Sequence, residues 1–179
     1  MAGRSRPTRL SPKQLAGRAR RIRLLLLDVD GVLTDGRLFY DEHGNSMKSF
    51  HIHDGQGLAA LRKTGVLIGL ISGRASKAVE VRAGELGITI VHQGVDDKRA
   101  VYEQLLAAHR LSDERVAYVG DDLPDLPVLA RAGLAVAVAN AHVDVRRAAH
   151  WVTKQPGGAG AVREVADLLL AAKTGKRST

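Results

Sequence analysis

The sequence predicts an α/β fold: a three-layer, Rossmann-like parallel sheet with helices on both faces and a short β-hairpin insert. Short apolar runs, such as Leu24 to Val29, alternate along the chain with longer segments of helical periodicity. Such alternation is typical of parallel strands that are joined by helices. Acidic or small polar residues follow three of the runs, which indicates a ligand site beyond the carboxyl ends of the strands.

The apolar runs and the turn residues between them position the individual elements. We expect strands at Leu24 to Val29, Val66 to Ile71, Thr89 to Val91, Val116 to Val119, Leu134 to Val138 and Trp151 to Val152. We expect helices at Gly57 to Lys63, Ala75 to Leu86, Lys98 to His109, Leu123 to Ala132, Val143 to Ala149 and Ala161 to Ala172. Ser11 and Pro12 are typical of a helix start, and they predict a short helix that ends near Arg21.

The segment between the first two long strands, residues 36 to 54, reads as a β-hairpin. Arg37 to Tyr40 and Met47 to Ile52 would form its strands, and the polar residues Asp41 to Asn45 its turn. In this arrangement His51 and His53 would share one strand face. Without a third ligand at a convincing spacing, the two histidines favour substrate or interface contacts over a zinc site.

Composition predicts a single globular domain. The chain has 179 residues, 45% of them hydrophobic but only 3% aromatic, so one aliphatic core is expected. The absence of cysteine excludes disulfides, thiolate catalysis and cysteine metal sites. No run reaches the roughly 18 apolar residues of a membrane helix, so we expect a cytoplasmic protein with no membrane partner.

The net charge of +8 is carried by the two ends of the chain. Residues 1 to 23 contain eight basic side chains and no acidic ones, whereas residues 24 to 172 are mildly acidic. We therefore expect a basic N-terminal tail with a short helix (1–23), a globular domain (24–172) and a basic C-terminal tail (173–179). No aromatic residues interleave the basic ones, which argues against specific nucleic-acid binding.

Two carboxylates, Asp28 and Asp30, directly follow the run Leu24 to Leu27 and precede Gly31. Two acids one residue apart at a strand end both leave the sheet at one edge. One of them can then act as a nucleophile while the other moves a proton. The alternative is an ordinary Asp-Gly turn after a core strand, and the motif alone does not decide between the two.

Three later segments favour the catalytic interpretation. Ser72 and Gly73 close a second apolar run, where a hydroxyl and a backbone N–H can bind a phosphoryl group. Lys98 opens a helical pattern and would otherwise be a solvated lysine. A third apolar run ends in Gly120 and is followed by three acids that suit a hard divalent cation, namely Asp121, Asp122 and Asp125.

Taken together, these four segments resemble the motifs of the haloacid-dehalogenase-like phosphatase superfamily, in the same order. The resemblance implies that Asp28 forms an aspartyl-phosphate and that Asp30 is the acid and then the base. It also implies that Ser72, Gly73 and Lys98 hold the phosphoryl group. Mg²⁺ would be bound by Asp28, the Asp30 carbonyl and Asp121, with Asp122 and Asp125 in the outer shell.

The short insert leaves no room for a separate cap domain, and the chain is similar to a capless branch that hydrolyses a sugar-acid phosphate. That similarity implies substrate contacts by Asp30 and Lys98 and by seven further residues, namely His51, Ile52, His53, Asp54, Gly55, Arg74 and Arg82. We expect Arg74 and Arg82 to lie on one helix and to face the substrate carboxylate. The branch often has basic residues where this chain has His53 and Ala59.

The resemblance also implies a homotetramer in which neighbouring subunits help to complete each active site. Exposed apolar side chains of the hairpin favour the same conclusion, because a lone hairpin is barely stable. Gly157 to Gly160 is interpreted as a flexible loop over the site, and His109, His142 and His150 as surface residues. Two alternatives remain open: a phosphatase for a sialic-acid-like nine-carbon sugar phosphate, and a non-catalytic module that binds anions through the basic tails.

Overall fold

A computed structural model describes residues 10–175, which form a six-stranded parallel sheet with helices and a separate two-stranded hairpin. The strands are β1 (Leu24–Leu27), β2 (Phe39–Tyr40), β3 (Ser46–Met47), β4 (Leu67–Ile71), β5 (Ile90–His92), β6 (Val116–Gly120), β7 (Leu134–Ala137) and β8 (Trp151–Val152). The helices are α1 (Pro12–Arg21), α2 (Ile52–Arg62), α3 (Lys77–Leu86), α4 (Lys98–His109), α5 (Leu126–Leu129), α6 (Val143–Ala148) and α7 (Ala161–Thr174). The predicted fold class is confirmed. Residues 1–9 and 176–179 of the predicted basic tails lie outside the described residues.

Strand β1 is the centre of the sheet, whose order is β5-β4-β1-β6-β7-β8. All four of its leucines are fully buried, because helices and neighbouring strands cover them on every side. In register, Leu27 lies between Leu70 of β4 and Val119 of β6. The three central strands therefore end at the same edge of the sheet.

The helices pack in two groups. Helix α7 packs against α1 and α2, and α5 packs against α4 and α6. Among the described residues, the buried hydrophobic side chains are aliphatic with two exceptions, Tyr102 and Tyr118, as the composition predicts. Ala19 and Ile22 of the N-terminal segment belong to this core, so α1 is joined to the domain. Within residues 10–175, none of the helices is long and apolar enough to cross a membrane.

The prediction that α2 begins at Gly57 is wrong, since the helix begins at Ile52. Glycines have low helix propensity, and for that reason Gly55 and Gly57 suggested a loop. Packing overrides the propensity here. A Cβ on Gly57 would lie 2.8 Å from Cδ of Arg163 and 3.0 Å from Cβ of Ala166, so glycine allows α2 and α7 to approach closely.

That helix start also corrects the interpretation of the hairpin. Its strands are only two residues long, and Met47 to Ile52 is not a strand. His51 precedes α2 and His53 lies in its first turn, so the two do not alternate along a strand. Their rings nevertheless lie edge to face, with centroids 5.1 Å apart.

Two further helix boundaries differ from the predictions. Helix α3 begins at Lys77, so Arg74 lies in the preceding loop and does not share a helix with Arg82. The helix expected at Leu123 to Ala132 is divided into a 3₁₀ turn, Leu123–Asp125, and the short α5. The division follows from Pro124 and Pro127, because proline is tolerated in the first turn of a helix but not in its interior.

His150 is half-buried, and the prediction that it is a surface residue is wrong. Its Nδ1 accepts a hydrogen bond from the backbone N–H of Ala135 at 2.9 Å, just before β8 joins β7. The Arg18 guanidinium lies 3.2 Å from Nε2. Burial, and then the charge of Arg18, lower the pKa of His150 from 6.5 to about 4.

We therefore expect His150 to make stability depend on pH. Between pH 6.5 and about 4 the unfolded chain binds a proton at His150 and the folded chain does not, so stability falls as the pH falls. His150→Asn keeps an acceptor and removes the titration. Urea unfolding at about pH 7 and about pH 5 should show a smaller loss of unfolding free energy in this variant than in wild type. His43→Asn, in the exposed hairpin turn, is the control, and equal losses in wild type and His150→Asn would contradict the assignment.

Candidate active site

The shared edge of the three central strands carries a cavity of about 440 Å³. Asp28 follows β1, Ser72 follows β4 and Asp121 follows β6, so the register of the sheet brings all three to the cavity. Other residues that line it are Asp30, Gly36, Gly73, Arg74, Val95, Asp96, Lys98, Asp122, Pro124 and Asp125. The acidic, basic and hydroxyl side chains of the sequence motifs thus surround one space.

Lys98 joins two buried carboxylates. Its Nζ lies 2.7 Å from Oδ1 of Asp28 and 2.7 Å from Oδ1 of Asp125. Burial lowers the pKa of Lys98, but the two carboxylates outweigh it and the net shift is upward. Burial and the charge of Asp125 raise the pKa of Asp28 to about 6, while Lys98 opposes that rise. The ammonium group therefore stays charged and holds both acids in place.

Asp125 is fully buried and organises the loop after β6. Its carboxylate accepts hydrogen bonds from the backbone N–H groups of Asp121 at 2.9 Å and Asp122 at 3.2 Å. The Tyr118 hydroxyl also donates to it, at 2.7 Å. Burial, and then the charge of Asp125, raise the pKa of this tyrosine, so it remains a donor. Asp122 caps the 3₁₀ turn that follows.

The site fits a hard divalent cation. Asp28, Asp121 and Asp125 each have a carboxylate oxygen within 4.8 Å of the others. Oδ1 of Asp121 is buried and, among the described residues, has no hydrogen-bond partner. Burial, and then the charges of Asp28 and Asp125, raise the pKa of Asp121 to about 8. A cation would offset this repulsion, and an all-oxygen donor set suits Mg²⁺.

Gly31 lets the loop after β1 approach Asp121. Its φ of +90° lies in the left-handed region that favours glycine. A Cβ at this position would lie 2.0 Å from Oδ2 of Asp121. Both the backbone conformation and the contact therefore require glycine.

The two residues that sequence reasoning missed are Tyr118 and Lys48. Lys48 follows β3, and its Nζ pairs with Oδ1 of Asp30. A single lysine at the end of a hairpin gives no sign of such a contact. Tyr118 gives a weak sign, since it is a polar-tipped residue in an otherwise apolar strand that leads into the acidic loop.

The residues of the predicted substrate segment lie apart from the cavity. His51 and His53 line a second cavity of about 550 Å³ beside α7. Ile52 is exposed to solvent. Asp54 is buried and accepts a hydrogen bond from the backbone N–H of Arg163 at 2.6 Å, and burial raises its pKa. Gly55 lies against the guanidinium of Arg82.

Arg82 also lies apart from the catalytic cavity, whereas Arg74 lines it. The Arg82 guanidinium is 5.9 Å from the ring centroid of Phe50 and donates to Glu85 at 2.9 Å. Arg74 is next to Ser72, whose Oγ accepts the backbone N–H of Arg74 at 3.2 Å. Of the two arginines, Arg74 is thus the one placed to contact a ligand in the cavity of its own chain.

The segment Gly157 to Gly160 is attached to the loop after β1, in contrast to the expected flexible loop. The Gly158 N–H donates to the carbonyl of Val32 at 3.0 Å, and the Gly157 N–H donates to Oδ1 of Asn140 at 2.9 Å. A Cβ on Gly157 would lie 1.7 Å from the carbonyl oxygen of Gly31. The segment supports the catalytic loop from behind.

Comparisons with known proteins agree with this geometry. A family model described as haloacid dehalogenase-like hydrolase matches residues 81–164. The 3-deoxy-D-manno-octulosonate 8-phosphate phosphatase of Yersinia pestis is 48% identical over 156 residues, which are 87% of this chain and 83% of that protein. The protein of that name from Escherichia coli K12 is 44% identical over 174 residues, with 96% and 93% covered.

A solved structure extends the comparison to bound ligands. The phosphatase of that name from Moraxella catarrhalis, solved with magnesium, phosphate and KDO, is 38% identical and superposes with a TM-score of 0.90. The match covers 93% of this chain and 95% of that one. Fold and site thus define a hydrolase whose parallel sheet carries a cluster of aspartates at its carboxyl edge. The chain belongs to the haloacid dehalogenase-like hydrolase family and is a phosphoric monoester hydrolase, which confirms the predicted family and enzyme class.

We expect Gly31→Ala to abolish activity, because a Cβ would displace Asp121. Gly65→Ala is the matched control: its φ of +83° is similar, but nothing lies within 4 Å of the added Cβ. Both variants should lose about 1 to 2 kcal/mol of unfolding free energy from the backbone conformation. Only Gly31→Ala should also lose phosphate release, by about a hundredfold or more. Equal activity of the two variants would contradict the role assigned to the Gly31–Asp121 contact.

Proposed function

We propose that this protein hydrolyses 3-deoxy-D-manno-octulosonate 8-phosphate to the free sugar acid and inorganic phosphate, as a step in lipopolysaccharide precursor synthesis. The names of the relatives and the KDO complex of the Moraxella catarrhalis protein support this substrate. The observation that carries the chemistry is the position of Asp28 and Asp30 beside Lys98 and Asp121 in one cavity.

The reaction proceeds in two displacements at phosphorus. A carboxylate oxygen of Asp28 attacks, the bond to the sugar oxygen breaks, and Asp30 donates a proton to that oxygen. The aspartyl-phosphate is then attacked by water, whose proton passes to Asp30 as the bond to Asp28 breaks. Inorganic phosphate leaves, and both carboxyl groups return to their starting states.

The neutral and cationic groups of the cavity hold the phosphoryl group during both displacements. Ser72 and the backbone of Gly73 offer an O–H and an N–H donor, and Lys98 offers positive charge next to the attacking carboxylate. This supports positioning as their role, because phosphoryl transfer depends chiefly on alignment and charge neutralisation.

The carboxylates of Asp28 and Asp121, together with the backbone carbonyl of Asp30, would hold a magnesium ion. When bound, the ion neutralises the charge of the phosphoryl oxygens and the carboxylates around them. Asp125 would orient the loop that carries Asp121, through its hydrogen bonds to the backbone. Asp122 would support the same loop by capping the turn.

Arg74 is the candidate for recognition of the sugar-acid carboxylate within the same chain, since a guanidinium offers paired donors in one plane. The other proposed substrate contacts, His51 to Gly55 and Arg82, would act on the cavity of a neighbouring subunit. Their separation from the catalytic cavity of their own chain supports this division.

We accordingly propose a homotetramer with composite active sites. Two-residue strands do not stabilise a hairpin alone, and Tyr40 and Met47 are each 58% exposed at its tip. Leu38, Phe39 and Ile52 extend the same apolar exposure. Hairpins from several subunits that pack together would cover these side chains and roof the open cavities.

Asp28→Asn should reduce phosphate release from 3-deoxy-D-manno-octulosonate 8-phosphate by about a thousandfold or more, because the amide lacks the nucleophile and the charge. Release is measured with and without Mg²⁺, and a nine-carbon sialic-acid-like phosphate is included as the competing substrate. Asp35→Asn, in the same loop but paired with exposed Arg37, is the control. Activity of Asp28→Asn within about tenfold of wild type would exclude the covalent mechanism.

Mixed tetramers test the composite site. Asp28→Asn and Arg82→Ala chains should each be weak alone, and on co-expression they should recover on the order of a quarter of wild-type activity, since that share of sites would receive both intact residues. Asp28→Asn mixed with Asp30→Asn is the control and should recover nothing, because both acids belong to one chain. A fully active monomer in light scattering, or no recovery in the first mixture, would contradict the proposal.

A further inference from the structure

Lys48 is the point at which the hairpin touches the catalytic loop. Its side chain is only 2% exposed, although the neighbouring side chains of β2 and β3 are largely open to solvent. Lysine is almost never buried to this extent without a partner. By contrast, the side chain of Lys77 on α3 is 83% exposed and pairs with Glu80 on the surface.

The partner of Lys48 is the Asp30 carboxylate, whose side chain is 21% exposed. Within residues 10–175, Lys48 is the one side chain that donates a hydrogen bond to this carboxylate. Loss of Asp30 would leave the buried ammonium of Lys48 with neither water nor a counter-ion beside it, and loss of Lys48 would leave Asp30 without its partner. The pair therefore fixes the direction of Asp30 and connects that residue to a segment 18 positions later in the chain.

Each acid of the motif thus has its own lysine. Asp28 is held by Lys98 from the first turn of α4, and Asp30 is held by Lys48 from the hairpin. The two acids have different tasks, since Asp28 attacks phosphorus and Asp30 moves the proton at the leaving oxygen. The two lysines should consequently affect different parts of the reaction.

We propose that Lys48 is a positioning residue that aims Asp30 at the leaving oxygen, and that it thereby determines how poor a leaving group the enzyme can expel. This inference rests on the proposed function, because it concerns the acid step of that reaction. A sugar alkoxide departs only if it receives a proton, whereas p-nitrophenolate departs without one. A misdirected Asp30 would slow the first reaction and spare the second.

Single turnovers with enzyme in excess separate this first displacement from hydrolysis of the aspartyl-phosphate. Lys48→Met keeps the length of the side chain and removes the charge, so release of the sugar acid should slow by about tenfold to a hundredfold. The single-turnover rate of p-nitrophenol release from p-nitrophenyl phosphate should change by less than about threefold. Lys48→Arg should restore much of the sugar-acid rate, and Lys77→Met is the matched control with wild-type rates on both substrates.

The outcomes separate the inference from the proposed function. If wild type releases no phosphate from the sugar-acid phosphate, the proposed function fails and the inference fails with it. If wild type is active and Lys48→Met loses equal activity on both substrates, Lys48 is merely structural and the inference alone is overturned. In an Asp30→Asn background, Lys48→Met should cause no further loss, and an additional tenfold loss would also overturn it. Circular dichroism checks that each variant is folded. If Lys48→Met does not fold, the same measurements are made on Lys48→Gln.

Discussion

The buried ammonium of Lys98 is the interaction on which the catalytic edge depends. Two buried carboxylates, Asp28 and Asp125, lie against it at 2.7 Å, and a buried charge is costly unless a counter-ion lies beside it. Removal of the lysine would leave two like charges facing each other in a poorly hydrated site. Asp125 also holds the backbone of the loop that carries Asp121, so Lys98 stabilises both Asp28 and that loop.

The fold keeps this arrangement together by making β1 the central strand. Asp28 follows a strand whose four residues are wholly buried, so its position is set by hydrogen bonds to β4 and β6 on both sides. Under the proposed function, recognition of the sugar and protection of the site from water would fall to peripheral elements such as the hairpin. In α/β enzymes, a rigid sheet commonly positions the reacting groups, and the variable segments beyond its strand ends commonly bind the substrate.

Most of the strands were predictable, because a buried parallel strand is a short apolar run and such runs are distinct in this sequence. The meeting of Asp28, Ser72 and Asp121 followed from the same patterns, since each is the first polar residue after its strand. The start of α2 was not predictable, because its glycines reflect packing against α7 and not a loop. Lys48 and Tyr118 were missed for a related reason: their partners, Asp30 and Asp125, are specified by tertiary structure and leave no periodic signal.

The contact between α2 and α7 affects the order in which the parts of the domain can fold during synthesis. Asp54, at the start of α2, accepts the backbone N–H of Arg163, 109 positions later, and Gly57 fits closely against the same helix. During synthesis, α2 and the carboxylate of Asp54 therefore cannot make these contacts until α7 has been translated, near the end of the described chain. Until then, the nascent chain exposes the surface of α2 that later packs against α7, and such an exposed surface can bind chaperones. Completion of the domain is therefore a late event.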